Sequence, residues 1–133
     1  MRNKEKCPTA RMLLGRRGED VANRFLEGLG HRIVTRNYRS GHLEIDIISQ
    51  DVNGVHFVEV KSRVAPVTAA PEENVTPLKQ RKIASAALRY LHNSKDPLLS
   101  SDSEVHFDIV AVTFEGGEEK IEWFPDAFIP MYL

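Results

Sequence analysis

The run Leu43-Glu44-Ile45-Asp46-Ile47-Ile48, followed after a short interval by Phe57-Val58-Glu59-Val60-Lys61, limits the fold more than any other feature of the chain. Both runs alternate charged and apolar residues, the period-two pattern of strands with one covered face. Between them stands Asp51-Val52-Asn53-Gly54, and Asn-Gly between β-rich runs is a strong hairpin signal. The pattern predicts two antiparallel strands at about 43–50 and 55–63. Glu44 and Asp46 then share one face, as do Glu59 and Lys61. If Asn53-Gly54 is a two-residue turn, Asp46 lies opposite Lys61 with Glu59 diagonal to it. If the four residues Asp51 to Gly54 form the loop, Asp46 lies opposite Glu59. Either register places all four charged side chains on one face, whereas a three- or five-residue loop separates them.

The remaining chain supplies elements to cover that pair. Thr9 is a candidate N-cap for a helix over about 10–29, with Ala22, Phe25, Leu26 and Leu29 at helical spacing. Ile33-Val34 and the basic aromatic stretch Arg36-Asn37-Tyr38-Arg39 precede a Ser40-Gly41 turn. Residues 64–76, with Pro66 and Pro71, read as a loop, and 95–104 as another. A second helix is expected over 77–94, opened by Pro77 and carrying the stripe Ile83, Ala84, Ala87, Leu88, Leu91. His106–Phe114 and Ile121–Phe124 form a second hairpin around Gly116-Gly117. The order α-β-β-β-α-β-β predicts an α/β fold, a mixed sheet flanked by helices.

A length of 133 residues fits one domain, expected over 15–133 with an N-terminal arm at 1–14. The single Cys7 excludes a disulfide framework and a cysteine zinc site. No run of ~18 apolar residues suggests a membrane span, so a soluble cytoplasmic setting is expected. Residues 1–95 hold 17 Lys/Arg against 10 Asp/Glu, whereas 96–133 hold one against nine. A polyanion would meet the first part and not the acidic second.

Paired carboxylates beside an ammonium have a chemical use. Neighbouring carboxylates repel, and a hard divalent cation such as Mg²⁺ removes that repulsion while accepting water and phosphate oxygens. Lys61 is then placed to neutralise charge developing on a phosphate. Glu19 lies at the margin of the first helix's apolar stripe, within reach of the sheet, although a solvated first-turn charge fits it equally. The plainer alternative for the strands is a half-exposed pair with Asp46 and Lys61 as a cross-strand ion pair.

Asp46, twelve intervening residues and Glu59-Val60-Lys61 resemble the D…(D/E)-x-K signature of restriction-endonuclease-like nucleases. More closely, the chain from Gly15 resembles the bacterial YraN-like family of predicted nucleases related to archaeal Holliday-junction resolvases. The matching residues are Gly15-Arg16-Arg17-Gly18-Glu19, Ala22, Leu26, Arg36-Asn37, Glu44-Ile45-Asp46 and Phe57 to Arg63. Lys79, Ala87 to Leu91 and Phe107 to Val110 complete the set. Two positions depart from it: Ile45 stands where the wider motif often has Pro, and Leu43 where the family usually has Gly.

The resemblance implies a three-layer α/β/α restriction-endonuclease-like core. It implies Mg²⁺ or Mn²⁺ held by Asp46, Glu59, the Val60 carbonyl and Glu19, with Lys61 positioning the attacking water. The activity implied is hydrolysis of nucleic-acid phosphodiesters, DNA above all, with branched or damaged duplexes among the substrates. A junction-resolving member would act as a homodimer, since a junction needs two active sites.

Candidate phosphate contacts are Arg16, Arg17, Arg36, Arg39, Arg63, Lys79 and Lys82, with Arg89 beside them and Tyr38 available for stacking. Alternatives are a non-catalytic nucleic-acid-binding module on the same fold, or a protein–protein adaptor whose charged strands are merely solvated. Gly15-Arg16-Arg17-Gly18 also has the form of a backbone-clamping GxxG loop, but it falls within the first helix. His31, His42, His56, His92 and His106 show no compact metal-ligand spacing, and Cys7 has no nucleophile's partner. Trp123, Phe124, Phe128, Ile129 and Met131 either cap the core or form an oligomer patch.

Overall fold

The structure, a computed structural model, describes residues 7–67, 75–99 and 102–128. Helix α1 spans Ala10–Gly28, and the Thr9 hydroxyl caps it by accepting the Met12 amide at 3.1 Å. It begins inside the segment expected as an arm, whose residues 1–6 lie outside the described part. Strands β1 (Arg32–Ser40), β2 (Leu43–Asp51) and β3 (Gly54–Val64) follow. Then come α2 (Pro77–Asn93), β4 (Val105–Glu115) and β5 (Glu118–Phe124), the predicted order. Thr76 caps α2 and Pro77 occupies its first turn, where a missing N–H costs nothing.

The five strands form one mixed sheet in the order β1-β2-β3-β4-β5. Only the β3–β4 pairing is parallel, with α2 as the connection between them. Val21, Ala22 and Leu26 of α1 pack on Ile47, Val58, Val110 and Val112. Ile83, Ala84, Ala87 and Leu91 of α2 pack on Ile48, Phe57, Phe107 and Ile109. The helices therefore cover opposite faces, and each fully buried large side chain contributes roughly 1.5–3 kcal/mol.

Two positions depart from the helical stripes. Leu88 is 43% exposed and Ala86 is buried in its stead, because the sheet-facing stripe is narrow and small-residue-rich. Leu29 is the C-cap of α1 and is 47% exposed. Of the terminal aromatics, Trp123 meets Phe25 edge-on and Phe128 stacks on Phe107, so these rings cap the core. Ile129 and Met131 lie outside the described residues, as does Pro71.

The β2–β3 hairpin turns at Val52-Asn53, with Asp51 paired to Gly54. Gly54 is needed at its place: its φ is +134°, and a Cβ there would lie 2.3 Å from the Glu104 carbonyl oxygen. That carbonyl accepts the Val55 amide at 2.8 Å. The register runs from Asp51↔Gly54 to Ile47↔Val58 and, carried one step further, sets Asp46 against Glu59.

Candidate active site

The sheet splits at the acidic residues. The β2–β3 ladder ends at Ile47↔Val58, while β1–β2 continues to Ser40↔Leu43 and β3–β4 to Val64↔Phe114. Just past the last pair, the Val60 amide donates to Asp46 Oδ2 at 2.8 Å. A side-chain carboxylate thus takes a backbone hydrogen bond at the mouth of the split, satisfying a donor that the ladder leaves.

Strand alternation also changes phase there. Ile47 packs with the α1 side, and its β1 partner Arg36 reaches Asp20 and Glu19 of α1. Ile45 packs with the α2 side, and its partner Tyr38 rests edge-on against Tyr90 of α2. Asn37 lies between, with φ of 54°, a left-handed conformation that Asn tolerates better than most residues. This kink turns the ribbon over at the level of Asp46.

The single face expected for Glu44, Asp46, Glu59 and Lys61 is therefore divided. Glu44 and Glu19 meet on the α1 side. There the Asn37 amide nitrogen, in the orientation that satisfies both, donates to Glu19 Oε1 at 2.9 Å and Glu44 Oε1 at 2.6 Å. Glu59 stands with α2, accepting from Lys79 Nζ at 2.8 Å, with Lys61 Nζ at 3.3 Å. Asp46 links the two groups. Glu19, Glu44 and Asp46 can each offer an oxygen within 4.8 Å of the others, and Asp46 also feels the charge of Glu59.

Gly18 explains how Glu19 reaches the split. It is buried where α1 crosses β3, and a Cβ there would stand 1.7 Å from the Ser62 hydroxyl oxygen. The close crossing brings the next residue down onto the sheet.

The electrostatics record an excess of negative charge. Burial, then the neighbouring Glu59, push the Asp46 carboxyl up to about 7, with Glu19 and Glu44 adding and the Val60 amide opposing. Burial also raises Glu19, opposed by Arg36 and reinforced by Glu44.

The predicted phosphate contacts scatter. Lys79 and Lys82 line a cleft of about 690 Å³ between the β1–β2 turn and α2, together with His42, Leu43, Arg81 and Arg89. Leu43, one of the two departures from the family pattern, forms part of its wall. Arg39 pairs with Glu44 at 3.3 Å, and Arg17 lies over the Phe114 ring at 4.5 Å. Arg16 is exposed on α1, and Arg63 sits half-buried on β3. Arg36 and Tyr38 are engaged inside the fold, by acids of α1 and by Tyr90.

Glu44 belongs to the charged face that the strand alternation predicts, whereas Asn37 enters the cluster from β1. An Asn inside an otherwise β-favouring run was the available signal, since Asn prefers turns and left-handed backbone. Lys79, a candidate phosphate contact, also bonds Glu59, and that bond depends on how α2 lies across the sheet.

Together these features define an α/β protein whose one sheet opens at a carboxylate–lysine cluster. Residues 18–112 match the family described as "Uncharacterised protein family UPF0102", and the chain belongs to it. This is the YraN-like, restriction-endonuclease-like family to which the sequence motifs point. A UPF0102 protein of Anaeromyxobacter dehalogenans is 40% identical over 118 residues, covering 89% of this chain and 85% of that protein. One from Geobacter metallireducens is 38% identical over 115 residues, covering 86% and 91%. One from Chlorobaculum tepidum is 44% identical over 99 residues, covering 74% of each. Among the described residues, no helix is long and apolar enough to cross a membrane.

Proposed function

We propose that the protein is a metal-dependent endonuclease hydrolysing nucleic-acid phosphodiester bonds, chiefly of DNA, with branched or damaged duplexes as its preferred class. The observation that carries the reading is Asp46, held by the Val60 amide at the strand split and facing Glu59, Glu19 and Glu44. An all-oxygen donor set suits Mg²⁺ or Mn²⁺, and a carboxyl raised to about 7 marks charge that a divalent cation would relieve. Asp46, Glu59, Glu19 and the Val60 carbonyl are the groups to hold it. When bound, the ion supplies Lewis acidity toward a phosphate oxygen and toward the attacking water.

The chain's own groups do the rest. Lys61, beside Glu59, neutralises charge growing on the phosphoryl oxygens and orients the water. Lys79 fixes Glu59 and also lines the basic cleft, so the cleft guides the nucleic-acid backbone to the site. A junction substrate requires two such sites and hence a homodimer. One observation favours a second reading, a binding module without catalysis: Glu59 is already paired with two ammonium groups.

A cleavage screen in Mn²⁺ with duplex, single-stranded and four-way-junction DNA separates the two. Cleavage that falls at least ~100-fold in Asp46→Asn and Lys61→Ala supports the nuclease. Salt-sensitive binding with no cleavage of any substrate leaves the binding module.

A further inference from the structure

At the far end of β2 from Asp46, a group of side chains unused by the nuclease site forms a buried network. His31 precedes β1, Ser49 and Asp51 belong to the end of β2, His56 to the start of β3, and Asp108 to β4. His31 and His56 are 5% and 4% exposed, and Asp108 is 1% exposed. His31 Nδ1 meets Ser49 Oγ at 2.9 Å, and its Nε2 lies 3.4 Å from Asp51 Oδ2. His56 Nδ1 meets Asp108 Oδ2 at 2.6 Å, and its Nε2 lies 2.8 Å from Asp51 Oδ1. Asp108 is itself fixed, since Oδ1 accepts the Asp126 amide at 2.9 Å. Both Nε2 atoms therefore converge on the Asp51 carboxylate, while both Nδ1 atoms are engaged from behind.

Ser49, His31 and Asp51 have the composition of an acyl-transfer triad, but Ser49 is 0% exposed and no substrate can reach its hydroxyl. A different chemistry fits. We propose that His31, Asp51 and His56 bind a divalent transition-metal ion, with Zn²⁺ the best match.

Two imidazoles and one carboxylate form a borderline donor set that suits Zn²⁺ and disfavours Mg²⁺. A hydroxyl behind one histidine and a carboxylate behind the other are the partners that orient metal-binding imidazoles. With Nδ1 of each ring held by Ser49 or Asp108, each Nε2 faces the common point, where the ion would replace the proton that His56 donates to Asp51. The Asp51 oxygens stand 2.8 Å from His56 Nε2 and 3.4 Å from His31 Nε2, on either side of the ~3.3 Å edge of a tetrahedron with ~2 Å bonds. The charges of Asp51 and Asp108 match a divalent ion. Asp51, with its side chain 14% exposed at the hairpin, leaves the fourth position open to water.

Such an ion would clamp the ends of β1, β2 and β3 and, through Asp108, reach β4. Five residues of strand, ~17 Å, separate Asp51 from Asp46, so the site is independent of the nuclease reading. Intervals of 20 and five residues between the three ligands hide the site from any motif search.

The full chain, stripped with chelator, is titrated with Co²⁺ and then Zn²⁺. One equivalent of Co²⁺ should give visible d–d absorption that Zn²⁺ abolishes. The signal should persist in Asp46→Asn and weaken at least ~10-fold in affinity in His31→Gln. Because network variants can lose their fold, the wild type provides a second reading by NMR. Zn²⁺ should move the His31 and His56 Nε2 resonances and leave the exposed His42 and His92 unchanged. Absence of the Co²⁺ band overturns the assignment, as does unchanged Co²⁺ affinity in folded His31→Gln or loss of the band in Asp46→Asn. Zn²⁺ shifts confined to His42 and His92 overturn it equally.

Discussion

The two ends of β2 handle buried carboxylates in opposite ways. At the Asp51 end, burial alone would raise the carboxyl, but hydrogen bonds from His56 and the Asn53 amide bring it below its ordinary value. At the Asp46 end, the neighbours are acids, and the carboxyl rises to about 7. One end is internally compensated; the other is left short of positive charge where the sheet opens. A buried carboxylate left uncompensated by its own neighbours marks a site ready for positive charge from outside.

The largest expected effect falls on the uncompensated end. Asp46→Asn should reduce Mn²⁺-dependent DNA cleavage at least ~100-fold while keeping the fold, because the Asn oxygen still accepts the Val60 amide. Next comes the compensated end. Asp108→Ala removes two hydrogen bonds and leaves His56 buried against a void, a loss of about 3 kcal/mol, measured by denaturant unfolding. If that variant is as stable as wild type, the contrast between the ends fails.

The same contrast governs pH. Asp46's folded pKa is raised, so its contribution is fully present below the unfolded value near 4 and is lost as pH rises toward 7. Without metal, Asp46→Asn should therefore match wild type at pH 4 and exceed it at pH 8, by on the order of 1–2 kcal/mol. Gly18→Ala should cost about 1–2 kcal/mol, since the new methyl meets Ser62, and lower cleavage by displacing Glu19. Adding Ser62→Gly should restore most of both. The smallest effect belongs to Arg39→Ala: its pair with Glu44 is exposed and worth under ~0.5 kcal/mol in thermal unfolding.

Much of the fold was legible because its signals are local. Thr9, Thr76 and Pro77 mark helix starts, and alternation with Asn53-Gly54 marks the first hairpin. Pairing Asp46 with Glu59 was one of two registers the spacing allowed, and the turn at Val52-Asn53 selected it. The kink was not legible, because strict alternation assumes ordinary backbone at Asn37, whose φ is 54°. Nor was the Lys79–Glu59 bond, which depends on the lie of α2, or the His31–Asp51–His56 cluster, whose members converge only once three strands are aligned.

Thermal unfolding with and without Mn²⁺, comparing wild type with Asp46→Asn, tests the account most directly. Saturating Mn²⁺ at about 100 times its dissociation constant should stabilise the wild type by ~2.7 kcal/mol and leave Asp46→Asn nearly unmoved. Equal stabilisation of both proteins, or of neither, would contradict a divalent-ion site at the opening between β2 and β3.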